Sequence, residues 1–520
     1  MAPPAQVTSK NIFFFCILAW GHTKPVIALA SRMIEARPDI TITFFTFGVM
    51  YPKILAEIEK IPEKLREEVR RRFFVIDFCG MITNPMIPVP TFTGAFEALW
   101  KGKPVKCLSS GQEYRLTRPC VAVVDPFAAY AIEAIRDITL PYPGGPLHMV
   151  AWMTTPAGAC IRLFGPKEMG GTGLSGRLNM KMARYGTEEE VMPLIASFTP
   201  EHTGEAVSIP GVPTMYDYEY YPQEAAISAS IFEEIGKIYL SQLEGAFFVT
   251  TSPYEQDALD TVRQWLGEGN IYPIGPLSWR KDETAPEAGD EALTIAATTF
   301  LDKMKESHGE KSVVFISFGT VFWPVEEDKI WAAIEEFLVN NVPVIFAHPS
   351  PFKKPISGEE LRIFRDSPIA MELQWAPQET ILMHPATGWF ISHGGWNSTQ
   401  EAFLYRVPQI FWPYAADQPY NAALVSQVHK AGFELINVRT GQHGTRPPYR
   451  SRDLPESEQP TFTVDAVKKE IRELVVKLKG DEGLTVRKNY ERLGEAVSKS
   501  WDEDGEARKT MERFFKKYID

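Results

Sequence analysis

Between Trp375 and Gln418 the chain reads "WAPQETILMHPATGWFISHGGWNSTQEAFLYRVPQIFWPYAADQ", and its polar residues have the types and spacing of a ligand site. His393 ends the apolar run "GWFIS" (388–392), Gly394 and Gly395 follow, and Asn397 and Ser398 open a helix-like stretch. A strand running through glycines into a helix N-terminus suits a phosphate, because it offers free N–H groups, a positive dipole end and short side-chain donors. Asn397 and Glu401 are four residues apart and share a helix face. A carboxylate one turn below a phosphate can take the two hydroxyls of a ribose. Trp375 offers a flat face to a base, and Asp417 with Gln418 combines acceptors and an amide as sugar hydroxyls require. Base, ribose, phosphates and sugar describe a nucleotide sugar.

Moving a sugar to a hydroxyl needs a base for the acceptor proton and stabilisation of the leaving diphosphate. His22, in "GHTKP" (21–25), is expected on the loop after the first strand, and its imidazole titrates in the right range. Asp125, after "VAVV", ends another strand at the same sheet edge. It can hold the ring's other nitrogen, or it is a turn starter before Pro126. Thr320, after "SFG", is either a phosphate contact or a turn residue.

Parallel strands with crossover helices must position these groups. "NIFFFCILAW" (11–20) reads as a strand buried on both faces. Past "GHTKP", Val26, Leu29, Ala30, Met33 and Ile34 mark one helix face, and "ITITFFTF" (40–47) is the next strand, a βαβ unit. Further strands are expected at 72–79, 120–127, 148–153 and 245–251. The alternation restarts after a polar, Pro-containing stretch, with strands at 312–319, 342–348, 368–375, 388–392, 407–413 and 433–437. Two open α/β halves follow: 1–275, a linker at 276–295, 296–490, and a helical tail at 491–520 that is expected to pack back on the first half. The Gly-, Pro- and Arg-rich stretch 439–461 reads as a surface loop.

The length of 520 residues favours two domains, and 44% hydrophobic with 23% charged residues describes a globular protein. A net charge of −12 argues against a nucleic-acid or anionic-membrane surface. Five cysteines without a CxxC pair read as free thiols in a reducing compartment, so a cytoplasmic location is expected. The protein is also expected to be a monomer. The apolar run near the N-terminus lacks a cleavage site and is not read as a signal peptide. No apolar run is long enough for a membrane span.

Over its 44 residues the quoted segment resembles the signature box of the plant-type UDP-dependent glycosyltransferases, family 1 of the GT-B fold. The matching positions are Trp375, Gln378, His384-Pro385, His393, Gly395-Trp396-Asn397-Ser398, Glu401, Pro408, Pro413 and Asp417-Gln418. The resemblance implies that Trp375 stacks on uracil and Glu401 holds the ribose. It assigns the diphosphate to His393, Asn397 and Ser398 and the sugar to Trp396, Asp417 and Gln418. Ala376, Gln378 and Gly395 complete the donor-binding positions. "IYPIGPL" (271–277), "SVVFISFGT" (312–320) and "GHTKP" extend the likeness, and His22 with Asp125 would be the family's dyad for an inverting transfer. A Gln at 418 implies glucose as the sugar, and the acceptor is expected to be a small lipophilic or phenolic alcohol, with 92–100 and 151–159 lining its pocket. One position departs: Arg406 stands where the family usually has Gly before "VP".

Two other functions are weighed. A nicotinamide-dependent oxidoreductase would need glycines where "WGHTKP" carries a His and a Lys. A non-catalytic UDP-sugar-binding protein would have no use for His22 and Asp125. Neither a cofactor nor a metal is expected, since no His/Cys cluster has ligand spacing. "GTGLSG" (171–176) matches a dinucleotide pattern without its strand and helix, and "DED" (502–504) lies in a charged helical tail. His308, His429 and His443 read as solvated.

Overall fold

The computed structural model of the chain describes residues 9–81, 90–172, 203–224, 235–236, 239–277, 291–320, 322–350, 356–358 and 360–520. Most of the expected linker and part of "GTGLSG" fall outside them. In the first half, seven parallel strands form one sheet. They are β1 (Lys10–Phe15), β2 (Ile40–Thr46), β3 (Phe73–Asp77), β4 (Pro119–Val124), β5 (His148–Met153), β6 (Ala246–Phe248) and β7 (Ile271–Pro273), in the order β7-β6-β5-β4-β1-β2-β3. Their sequences are nearly continuous apolar runs because helices cover both faces. Helix α1 (Trp20–Ala36) buries Val26, Leu29, Met33 and Ile34 against the sheet. At about 1.5–3 kcal/mol per fully buried side chain, that face anchors the helix. Helices α2 (Ala157–Phe164) and α3 (Ser252–Leu266) lie toward the second half.

The second half repeats the scheme with six strands: β8 (Val313–Ser317), β9 (Val344–Ala347), β10 (Ala370–Leu373), β11 (Thr387–Ser392), β12 (Gln409–Phe411) and β13 (Phe433–Glu434). Their order is β10-β9-β8-β11-β12-β13. Helices α4 (Gln378–Met383), α5 (Trp396–Tyr405) and α6 (Gln418–Ala423) leave the carboxyl ends of β10, β11 and β12. Helix α7 (Asp481–Ser498) runs through position 490, and α8 (Glu506–Tyr518) lies on the edge of the first sheet, with Phe514 4.7 Å from the Phe247 ring. Glu506 of α8 accepts from the Ser252 amide at 2.7 Å and so caps α3. In each sheet the order reverses between the first and fourth strands, β1/β4 and β8/β11, and such switch points open a crevice at the carboxyl ends.

Three expectations change. The run 11–20 is not one strand: β1 ends at Phe15 and α1 begins at Trp20, so "GHTKP" is the helix's first turns and not a loop. The Ile17 amide donates to the Asp125 carboxylate, and the chain leaves the ladder there. The stretch 439–461 is not a plain surface loop. Arg439 is buried between Glu219 and Glu434, and the Tyr218 hydroxyl donates to the Pro447 carbonyl at 2.6 Å, clamping the segment onto residues 203–224. Within 92–100, Phe92 and Phe96 are core, packed with Phe13 and Phe15, and so are not free to line an acceptor pocket.

Candidate active site at two switch points

At the β1/β4 crevice, His22 Nδ1 lies 2.7 Å from Asp125 Oδ2. Asp125 is fully buried, and its Oδ1 accepts from the Phe127 amide at 3.0 Å. The turn-starter and ring-partner readings of Asp125 thus coexist on different oxygens. Burial works against a charge on His22, but the adjacent Asp125 carboxylate outweighs it and raises the pKa above the ordinary imidazole value. With Nδ1–H donating to the carboxylate, Nε2 carries the lone pair. The ring is partly exposed, and Trp152 Nε1 donates to the His22 carbonyl at 3.0 Å, fixing the start of α1.

At the β8/β11 crevice, His393 is packed between glycines. A Cβ at Gly395 would lie 2.3 Å from His393 Nε2, and one at Gly319 would lie 2.9 Å from Cε1. Gly319 and Gly394 have φ of 73° and 81°, which glycine adopts without steric cost. Burial pushes the His393 pKa down to about 4, so the ring is neutral and offers an N–H rather than a charge. Its Nδ1 has no hydrogen-bond partner among the described residues. Gly395 is the N-cap of helix α5 and has no side chain to cap it, which leaves the first-turn N–H groups of Asn397 and Ser398 for a ligand. Thr320 is exposed just after Gly319, and Trp375 is 53% exposed after β10, beside the half-buried Ala376.

Asp417 and Gln418, which the resemblance assigns to the sugar, are tied more tightly than their sequence suggests. Asp417 Oδ2 accepts from the Trp396 amide at 3.0 Å and from Asn421 Nδ2 at 3.1 Å. Burial raises the Asp417 pKa to about 6, against those hydrogen bonds. Asn421 also donates to the Gly394 carbonyl at 2.9 Å, a supporting role that its four-residue spacing from Asp417 could have signalled. Gln418 is buried, and its Oε1 accepts from the Tyr414 amide at 2.9 Å. Only its amide nitrogen remains, so it cannot both donate to and accept from a sugar. The Trp396 indole turns away, donates to the Val249 carbonyl and packs on Tyr254 at 4.7 Å. What Trp396 leaves at the site is backbone.

The crevices face one another through α1 and α5. Pro25 has no N–H to give the Gly21 carbonyl, and that carbonyl accepts instead from Asn397 Nδ2 at 3.1 Å. One turn on, Lys24 Nζ donates to Glu401 Oε1 at 2.7 Å and to Glu379 Oε1 at 2.8 Å. Gln378 Nε2 donates to the other Glu401 oxygen at 2.6 Å. Lys24 lies between His22 and Pro25 in the motif, yet nothing in the sequence announced these partners. Nearby, the buried Glu255 accepts from the Ala157 and Gly158 amides, Thr250 and Tyr420, which stitches α2 and α3 to α6. His429 is not solvated, since its Nε2 meets the Tyr254 carbonyl at 2.8 Å. Among the described residues, no group of three His, Cys, Asp or Glu is arranged to hold a metal ion, and no helix is long and apolar enough to cross a membrane.

Residues 296–442 match the family model described as UDP-glucoronosyl and UDP-glucosyl transferase. The UDP-glycosyltransferase eriJ of Hericium erinaceus is 28% identical over 506 residues, covering 94% of this chain and 95% of that protein. An anthocyanidin 3-O-glucosyltransferase of Gentiana triflora is 25% identical, covering 94% of each. In fold, the chain superposes on Medicago truncatula UGT71G1, solved with UDP-glucose, at a TM-score of 0.67 and 16% identity over 99% of both chains. The strand orders and crevices are those of the GT-B fold, residues 296–442 carry the UDP-glucoronosyl and UDP-glucosyl transferase domain, and over nearly its whole length the chain is similar to UDP-glycosyltransferases.

Proposed function

We propose that this enzyme transfers glucose from UDP-glucose, with inversion, to a hydroxyl of a small lipophilic or phenolic acceptor. The observation that carries the reading is the His22 Nδ1–Asp125 pair at 2.7 Å, held by the helix that meets the N-terminal end of α5. His22 Nε2 takes the acceptor's hydroxyl proton as the oxygen attacks the anomeric carbon. The bond from that carbon to the diphosphate oxygen breaks, and its electron pair leaves with UDP. Asp125 holds the ring and stabilises the imidazolium that forms.

On the donor side, Trp375 stacks on uracil beside Ala376 and Gln378, and Glu401 accepts from the ribose. Gly395, His393, Asn397, Ser398 and Thr320 meet the diphosphate through backbone and side-chain donors. Asp417 and the Gln418 amide nitrogen meet the sugar, and the Trp396 amide holds Asp417 in place. The names of the relatives support glucose and a small acceptor. One is an anthocyanidin glucosyltransferase, and a structural neighbour, Phytolacca americana UGT2, was solved with UDP-2-fluoro-glucose and pterostilbene. The five free cysteines fit a cytoplasmic location.

The test incubates the protein with UDP-glucose, UDP-galactose or UDP-glucuronate and a panel of phenols and aliphatic alcohols, with product masses and anomeric configuration read out. A β-glucoside formed fastest from UDP-glucose is expected. If UDP-glucose binds by calorimetry but no acceptor is glycosylated and no UDP is released, the protein is a UDP-sugar-binding protein instead.

A further inference from the structure

Lys24 sits where two carboxylates of the second half and one of the first converge. Its ammonium is 2.7 Å from Glu401, 2.8 Å from Glu379 and 3.7 Å from Glu57, and all four side chains are largely shielded from water. Lys60 Nζ also pairs with Glu57, at 3.2 Å, but without Lys24 the Glu401 and Glu379 carboxylates would repel one another, and Glu401 would be pushed from its place or protonated. Burial would lower the Lys24 pKa, but the surrounding Glu401, Glu57 and Glu379 carboxylates outweigh it and hold it well above the ordinary value, so the ammonium stays charged.

A carboxylate has about four lone-pair directions. Lys24 takes one on Oε1 of Glu401, and Gln378 takes one on Oε2 at 2.6 Å. One acceptor direction is left on each oxygen, which is what a vicinal diol needs. The same lysine is two residues from His22 in the first turns of α1, and Gly21 of that helix is held by Asn397 of α5. We infer that Lys24 is a positioning residue for ribose recognition, orienting the Glu401 carboxylate toward the 2′- and 3′-hydroxyls of the donor from the helix that carries the base. This rests on the reading that Glu401 holds the ribose.

The experiment compares UDP-glucose with its 2′-deoxyuridine counterpart as donors, at saturating acceptor. KM and kcat are measured for wild type, Lys24→Met, Lys24→Gln, Lys24→Arg and Glu401→Ala, alongside melting temperatures. In the wild type the ribo donor should have the lower KM. Lys24→Met and Lys24→Gln should raise KM for UDP-glucose about tenfold while changing the deoxy donor much less, with kcat affected less than KM. Lys24→Arg should restore most of the preference. If one neutral variant fails to fold, the other carries the comparison. Two results separate the two claims. A ribo preference that survives Glu401→Ala removes Glu401 from the ribose site, and this inference with it. A preference lost in Glu401→Ala but intact in folded Lys24→Met or Lys24→Gln overturns the role of Lys24 alone.

Discussion

The two halves share one strand order and one kind of crevice, yet their crevices are furnished in opposite ways. At β1/β4 the side chains are already partnered: Asp125 is buried with both oxygens engaged, and one of them holds His22. At β8/β11 the strand ends carry glycines with positive φ, and a neutral His393 has no partner for its Nδ1 among the described residues. A preformed ion-pairing couple handles a proton, whereas glycines and unmet N–H groups admit an anion close to the backbone. On the proposed function, one pattern of strand order supports two chemical tasks, and the residues just after the strands decide which.

That division can be broken most sharply at His22. His22→Ala should cut kcat by about 10²–10⁴-fold while UDP affinity, measured by calorimetry, stays near wild type. Near-normal turnover in a folded variant would mean the first crevice does not carry the base. Asp125→Asn should cost less than that and should also change the pH profile. As the proposed base, His22 acts in its neutral form, so the rate should rise with pH through its pKa. Removing the neighbouring negative charge lowers that pKa, and the acid limb of kcat/KM should move to lower pH as the plateau falls. An unmoved acid limb would disconnect Asp125 from the titrating group.

The second crevice is tested by Gly395→Ala. Its Cβ would press on His393, so donor KM should rise about tenfold, about 1.4 kcal/mol, with no shift of the acid limb. An unchanged KM would show that the His393 cradle is not used. The smallest effect belongs to Arg406→Gly. Arg406 has φ 58° and ψ 35°, so the turn keeps the left-handed form that glycine favours, and its guanidinium donates to Ser498 of α7 at 3.1 Å. Relieved backbone strain and the lost contact oppose each other, and urea unfolding should shift by no more than about 1 kcal/mol. A much larger loss would make Arg406 a structural anchor rather than a tolerated substitute.

The strands were legible because a parallel strand covered on both faces must be apolar along its length, and β5 at His148–Met153 has the expected bounds. Boundaries were less legible where two elements are apolar in succession. Nothing in "IFFFCILAW" separates strand from helix, and it is Asp125, more than a hundred residues away, that takes the Ile17 amide out of the ladder. The box residues were legible as a set, but the direction of each side chain was not. The Trp396 indole and the Gln418 oxygen are spent on Val249 and Tyr414.

By itself, then, the sequence determined what depends on local order: apolar runs that must be strands, glycines and short polar residues opening a helix, a histidine beside a strand end. Which groups meet was decided only by the tertiary structure. His22 and Asp125 are 103 positions apart, and Lys24 and Glu401 are 377 apart. Periodicity carries no information over such separations: the pairing of β1 with β4 brings the first couple together, and the packing of α1 against α5 brings the second.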